Sequence, residues 1–344
     1  MNSHRPPVPS LSVVLVAASG AASVARTLWH LRQQSARRAI EVIVVAERGE
    51  VFDGIDLHQA DFCAIRVLPV GAITQRGEAA ARGIKASTAP IVGLIEDHSF
   101  PEPEWADALI RAHDGPWAGV GPVVENANPA STLSCVNFVL TYGAFSGSQP
   151  AGPRDLLPWH NSAYKRDVLR EFEPRLGDLL AWEGALQAEL RRRGHTLYLE
   201  PAARTHHANV SRFISSMGLN LQRGRMLGAM RADRECWPRW RRLVHASLFP
   251  LYPWMQLRYV LPGLARQNIS HTMRARVWCM LVPALYAMAV GEARGILGGA
   301  GDALHRLEDF ELHRLTHVSR QEREQIIAFA DALERGDPVL PPPA

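Results

Sequence analysis

The stretch Ile91-Val-Gly-Leu-Ile-Glu-Asp-His-Ser-Phe-Pro-Glu-Pro-Glu-Trp105 decides how the rest of the chain is read. A short apolar run stops at Glu96, Asp97 and His98, and prolines follow at 101 and 103. A buried strand delivers polar side chains to its carboxyl end in this way, and open α/β sheets bind ligands at that end. Glu, Asp and His are also ordinary ligands for a divalent metal.

Upstream, Leu11–Ala18, Glu41–Ala46 and Ala64–Val70 read as buried strands, and Gly77–Ala86 as an Ala-rich helix. Val13–Ala18 is apolar but short, follows a Pro-rich lead and runs into small polar residues, so it reads as part of a first strand and not as a signal peptide. Downstream, Trp105, Ala108, Leu109 and Ala112 recur at helical spacing. Gly119–Val124 is a further strand, and Ser131–Phe145 is an apolar segment suited to lining a cleft. Gln149–Pro158 is a Pro/Gly loop, Ala181–Arg193 a helix stopped by Gly194, and His195–Glu200 a strand ahead of Pro201 and His206-His207. Strands alternating with helices predict an α/β fold with a parallel sheet and crossover helices. No G-x-G-x-x-G follows the first strand, which argues against a dinucleotide-dependent dehydrogenase.

Of 344 residues, 47% are hydrophobic and 21% charged, a globular composition. Four cysteines without regular spacing read as buried or free thiols of a reducing compartment. The net charge of +4 is unevenly placed. Arg212 to Arg276 holds twelve arginines against Asp233 and Glu235, a local +10 that leaves about −6 for the remainder. Such a patch suits an anionic membrane surface or a nucleic acid. No RNA- or DNA-binding module pattern occurs there, so no nucleic acid is expected as a partner. Within the same region, Leu243–Val260 and Val277–Val290 are apolar, and the second is fourteen residues long with Pro283 inside. That falls short of the ~20 residues that span a bilayer, and amphipathic helices lying in the membrane interface fit better. The predicted division is a disordered lead over 1–10, an α/β domain over 11–210, an Arg/Trp-rich interfacial helical region over 211–300, and a terminal segment over 301–344. In that segment Ser319-Arg-Gln-Glu322 is a capping box, and Gly336 and a Pro-rich tail end the helix.

In this order the features resemble a family-2 glycosyltransferase of the GT-A fold, over residues 10–210. Leu11–Ser19 is similar to that family's first strand and nucleotide-contacting turn, and Glu41–Glu47 to its second strand ending in an acidic base-recognition residue. Glu96-Asp97-His98 with Pro-x-Pro-x-Trp looks like the turn that holds metal and diphosphate. Asn161–Arg166 looks like the acceptor-side segment, Glu183 falls where the general base is carried, and Pro201 to His207 looks like the closing segment. The chain departs from the usual pattern at four places. Ala46-Glu47 replaces two aspartates, and Ala80-Ala81-Arg82-Gly83 replaces a helix bearing Arg and Asn. Glu-x-His stands for Asp-x-Asp, and Trp182-Glu183 for Glu-Asp.

The resemblance implies an inverting transfer of a sugar from a nucleotide-diphosphate donor to a saccharide or lipid-linked acceptor, on the cytoplasmic face of the cell membrane. Ala17, Ser19, Glu47, Arg76, Arg82 and Asp97 would bind the nucleotide-sugar, and Trp159, His160 and Asn161 the acceptor. Glu96, His98 and His207 would hold Mn²⁺ or Mg²⁺, the imidazoles favouring Mn²⁺. Alternate strand residues share a face, so Glu96 and His98 are expected together, with Asp97 turned towards the ribose or sugar. Glu183, early in its helix where the dipole complements its charge, would take the acceptor proton. The altered positions also leave open a nucleotide-sugar-binding protein without catalysis.

Overall fold

The computed structural model describes residues 8–52, 57, 59–335 and 337. Residues 1–7 of the expected lead, Gly336 and the Pro-rich tail from 338 lie outside them.

In chain order the first half runs β1 (Leu11–Ala17), α1 (Ala21–Arg32), β2 (Ile40–Ala46), β3 (Ala64–Pro69), α2 (Arg76–Ala86), β4 (Ile91–Glu96), β5 (Ser99–Pro101), α3 (Trp105–Ala112) and β6 (Gly119–Asn126). It continues through α4 (Thr132–Tyr142), β7 (Gly152–Arg154), β8 (Ala163–Lys165), α5 (Arg166–Arg170), α6 (Leu176–Ala181), α7 (Glu183–Arg192) and β9 (Leu197–His207). The remainder is helical: α8 (Phe213–Arg234), α9 (Arg239–Ser247), α10 (Tyr252–Arg266), α11 (His271–Gly298), α12 (Ala303–Leu312), α13 (Arg314–His317) and α14 (Arg320–Glu334).

The chain divides into two compact units. One comprises residues up to 125, 147–207 and those from 324; the other comprises 126–146 and 208–323. The first unit holds a mixed sheet in the order β3-β2-β1-β4-β8-β6-β9-β5, with β7 beside β9. Strands β1 to β4 are mutually parallel, whereas β8 runs antiparallel to β4 and β6, and β5 and β7 antiparallel to β9. Strands β1 and β2 are buried almost throughout, as expected of β-branched runs covered on both faces by helices. Helix α2 lies so close that a Cβ on Gly83 would come within 2.5 Å of the Val14 side chain.

Register fixes the working edge of this sheet. Ala17 pairs with Ala46 and Val16 with Glu96, so β1, β2 and β4 end together. The order reverses at β1, the place where such sheets bind ligands.

Two predicted boundaries move. Strand β9 continues through Pro201 to His207, well past the expected end at Glu200. Pro201 lies between the β7 ladder (Leu197–Leu199) and the β5 ladder (Thr205–His207), so it removes a donor from neither. Ser131–Phe145, expected to line a cleft, forms α4 in the second unit, where Asn137 bonds the Val210 carbonyl, Ser216 and Asn220.

In that second unit α8 and α11 pack backbone to backbone. A Cβ on Gly224, Gly228, Gly291 or Gly295 would meet a main-chain oxygen of the opposite helix at 1.9, 2.2, 2.0 and 2.0 Å. Helix α11 corrects the reading of Val277–Val290 as too short. It has 28 residues and is long and apolar enough to cross a bilayer by length and composition, with half of its most apolar stretch buried in the protein. An apolar-run criterion stopped at Arg276, but the helix starts earlier, where the Ser270 hydroxyl caps Met273 N–H. At the other end the capping box forms as read: Glu322 accepts from Ser319 N–H at 2.8 Å, and the Ser319 hydroxyl accepts from Glu322 N–H at 3.3 Å.

Candidate active site

Glu96 ends β4, His98 follows two residues later, and His207 ends β9. Strand β5 joins the two places, because Ser99 pairs with His207 and Phe100 with His206. The three side chains are buried, and their ligand atoms lie within 4.8 Å of one another. Glu96 Oε2 is 3.1 Å from His207 Nε2 and 3.7 Å from His98 Nε2, and the two imidazole rings meet edge to face at 4.8 Å. Neighbouring ligands on a cation with bonds of ~2.1 Å stand about 3 Å apart, so the group fits a divalent ion. Its donor set of one carboxylate and two imidazoles suits Mn²⁺ or a later transition metal better than Mg²⁺.

The residues around the group reinforce that fit. Asp97 Oδ1 lies 2.7 Å from His98 Nδ1, which leaves Nε2 for a ligand bond. A carboxylate on the far nitrogen fixes the tautomer and orientation of a metal-binding imidazole. Asp97, expected towards the ribose or sugar, thus places one oxygen on the His98 ring. Asn161, expected at the acceptor, donates its amide N–H to Glu96 Oε2 at 3.1 Å. His206 faces the other side of β9 and bonds Glu102 at 3.0 Å. Alternation along the strand separates the two histidines.

Glu183 is the first residue of α7 and is fully buried. Oε1 accepts from the Tyr164 hydroxyl, Oε2 accepts from the His160 backbone N–H, and His160 Nδ1 stands 3.0 Å from Oε2. On the other side of the imidazole, Arg76 Nη2 lies 2.5 Å from His160 Nε2. A guanidinium only donates, so Nε2 is the acceptor nitrogen and Nδ1 carries the proton, close to Glu183 but without hydrogen-bond geometry to it. Burial and the Glu183 charge raise the Tyr164 pKa well above its usual value, which keeps that hydroxyl a donor. Gln187 Nε2 donates to the same phenol at 3.0 Å.

His160 sits at φ 62°, in the left-handed region. That conformation is uncommon for a residue with a side chain and clusters at functional sites. Beside it, Trp159 and Trp182 meet edge to face at 4.5 Å.

The remaining predicted residues spread along the sheet edge. Ala17 ends β1 buried, and Ser19 follows it partly buried. Glu47, after β2, is exposed and accepts from Ile73 N–H at 3.0 Å. Arg82 is exposed and donates to the Val70 carbonyl at 2.7 Å. Sequence reasoning missed the roles of Tyr164 and Gln187 and the pairing of Arg76 with His160. The last joins residues 84 apart, for which no local pattern exists.

No family description matches the sequence, and no curated protein matches it. Solved structures do resemble the fold. GalNAc-T7, solved with UDP, GalNAc and Mn²⁺, aligns over 59% of this chain at 13% identity and a TM-score of 0.46, too low a score to argue from. The chain spans 44% of that protein's length. The mannosyltransferase PcManGT from Pyrobaculum calidifontis, solved with GDP-Man and Mn²⁺, aligns over 83% of this chain and 87% of its own. Its TM-score is 0.52 at 16% identity, a likeness of fold alone. The architecture is the mixed α/β sheet flanked by helices of GT-A glycosyltransferases.

Proposed function

We propose that the chain is a glycosyltransferase, of the family-2 kind, that moves a sugar from a nucleoside-diphosphate donor to a hydroxyl acceptor with inversion. The observation that carries this reading is the Glu96–His98–His207 group at the carboxyl edge of the sheet, bonded by Asn161, the residue that follows His160 of the buried His160–Glu183 pair. The fold shared with a mannosyltransferase solved in complex with GDP-Man and Mn²⁺ supports it. Glu96, His98 and His207 would hold Mn²⁺, which when bound supplies Lewis-acid neutralisation of the charge on the departing diphosphate. Asp97 and Asn161 orient the ligands.

The acceptor oxygen attacks the anomeric carbon as the bond to the diphosphate oxygen breaks, and its proton must leave with it. Glu183 has no surface to meet that hydroxyl, and both its oxygens are engaged. His160, with 11% of its side chain accessible against none for Glu183, is the member of the pair that a hydroxyl can reach. The proton therefore goes to His160 Nε2 once Arg76 turns from it to the anionic donor, while Nδ1–H stays beside the Glu183 carboxylate. Glu183 thus keeps the role of providing basicity, but as the partner that orients and neutralises the imidazolium.

The experiment uses the full chain with Mn²⁺ and a panel of UDP- and GDP-sugars. It reads donor-induced thermal shift and release of nucleoside diphosphate. A donor that shifts melting and turns over is expected. Glu183→Gln and His160→Asn, the latter tolerant of the left-handed backbone, should each slow release roughly 10²-fold or more with the thermal shift kept. Binding across the panel without turnover in the parent protein rejects transfer and leaves a donor-binding protein. If His160→Asn is fully active while Glu183→Gln is not, the carboxylate takes the proton itself.

A further inference from the structure

From Cys236 to Gly291 the chain contains no Asp or Glu, yet it carries seven arginines. Within this stretch α9, one tighter turn at Phe249–Leu251, and α10 follow each other almost without a break. Trp237, Ala246, Tyr252, Val260 and Leu264 form their buried side. The opposite side, which a water-facing helix fills with polar groups, is apolar too. Trp240, Leu243, Val244 and Leu248 are exposed along α9 at helical spacing. Leu251, Trp254, Met255 and Tyr259 extend the row along α10. Trp240 and Trp254 are each 67% exposed and Tyr259 is 71% exposed. Exposed apolar side chains in this number along consecutive helices mark a surface that meets something apolar.

The charges define the partner. Arg241 and Arg242 are paired with Glu235 and Asp233. Arg239, Arg258 and Arg276 are exposed, with no carboxylate partner among the described residues. Arg258 lies over the ring of Tyr259, 4.7 Å from its centroid. A face without acids repels a second copy of itself. A nucleic acid would use the arginines but leave the apolar row in water. Aromatic side chains flanked by arginines match the boundary of an anionic bilayer, where rings sit at headgroup depth and guanidinium groups meet lipid phosphate.

We propose that α9 and α10 lie in the interface of an anionic lipid leaflet, with the Trp240–Tyr259 row inserted. The binding is peripheral. Helix α11 is clamped to α8 through its glycines, and its Glu292 pairs with Arg231 of α8, so crossing the bilayer would carry that charged pair into it. This proposal is separate from the transfer reaction, and its test needs no donor.

The full chain is mixed with vesicles of phosphatidylcholine alone, or of phosphatidylcholine with phosphatidylglycerol, and sedimented at low and high salt. Parent protein should pellet with the phosphatidylglycerol vesicles and much less with the neutral ones. The double variant W254S/Y259S, at exposed positions, should melt like the parent and pellet roughly tenfold less. The triple variant R239Q/R258Q/R276Q should lose the preference for anionic lipid. The proposal is overturned if the parent stays in the supernatant, or if W254S/Y259S pellets like it. A concentration-dependent dimer abolished by W254S/Y259S, or retained nucleic acid released by salt, would overturn it in favour of those partners.

Discussion

At Asp97 one oxygen already belongs to His98, and this places a limit on what else the residue does. A carboxylate 2.7 Å from Nδ1 makes Nε2 more basic and holds the ring in the plane a cation needs. Asp97→Asn is expected to weaken Mn²⁺ binding by about 10- to 100-fold, and His98→Ala, which deletes a ligand, by more. Calorimetric titration with MnCl₂ alone measures both. If Asp97→Asn leaves the Mn²⁺ affinity intact and weakens nucleotide binding, the residue serves the donor, as its sequence position suggested. Glu96 and Glu183 stand at a strand end and a helix start that local pattern locates, whereas His207 was singled out by its spacing from Pro201, since the expected strand ended at Glu200. Tyr164, Gln187 and the Arg76–His160 contact were not legible. They come together only after β8 is inserted antiparallel between β4 and β6, and nothing in a three-residue strand announces its neighbours.

Among the elements, the α8–α11 pair depends on an absence of side chains. Gly224 and Gly228 on one helix, and Gly291 and Gly295 on the other, let main chains touch. Gly228→Ala would set its Cβ 2.2 Å from the Glu292 carbonyl oxygen. Overpacking of that kind costs about 1–3 kcal/mol or more, which should lower the melting temperature of the transition involving these helices by several degrees. Gly298→Ala is the control, because nothing lies within 4 Å of a Cβ there and its melting should be unchanged or slightly raised. Equal effects from the two variants would mean that the close approach contributes nothing. Both G-x-x-x-G repeats are plain in the sequence, but a reading by apolar run length passes over them. The same criterion found strands β1, β2 and β4 readily, because buried parallel strands are continuous apolar runs.

At the scale of the whole molecule, acid should act on the first unit through histidines outside the candidate site. Burial lowers the His30 pKa to about 4, with Arg26 pushing the same way, and burial lowers that of His113 to about 4. Both values fall from 6.5, so the unfolded chain takes up protons between pH 6.5 and 4 that the folded chain refuses. The stability these neutral rings allow is complete above pH 6.5 and is lost as pH falls towards 4, by up to about 3 kcal/mol for each histidine. Urea melts from pH 7 to 4 should show that decline, and His113→Gln should flatten it. An unchanged slope in that variant would assign the decline to other groups. The partition of the chain was the least legible feature. Residues 126–146 join the second unit from within the first, and no change of composition marks the excursion.

Strand β9 carries His206 and His207 to opposite faces, one to Glu102 and the other to Glu96. Inserting or deleting one residue between its ladder with β7 and its ladder with β5 would leave composition and hydrophobicity almost untouched. It would nevertheless exchange one histidine for the other at the site, because a slip of one turns every side chain over. Over Glu200–Arg204 the number of residues therefore matters in its own right, beside the buried Ala203 and the Arg204 pairs with Glu102 and Glu125.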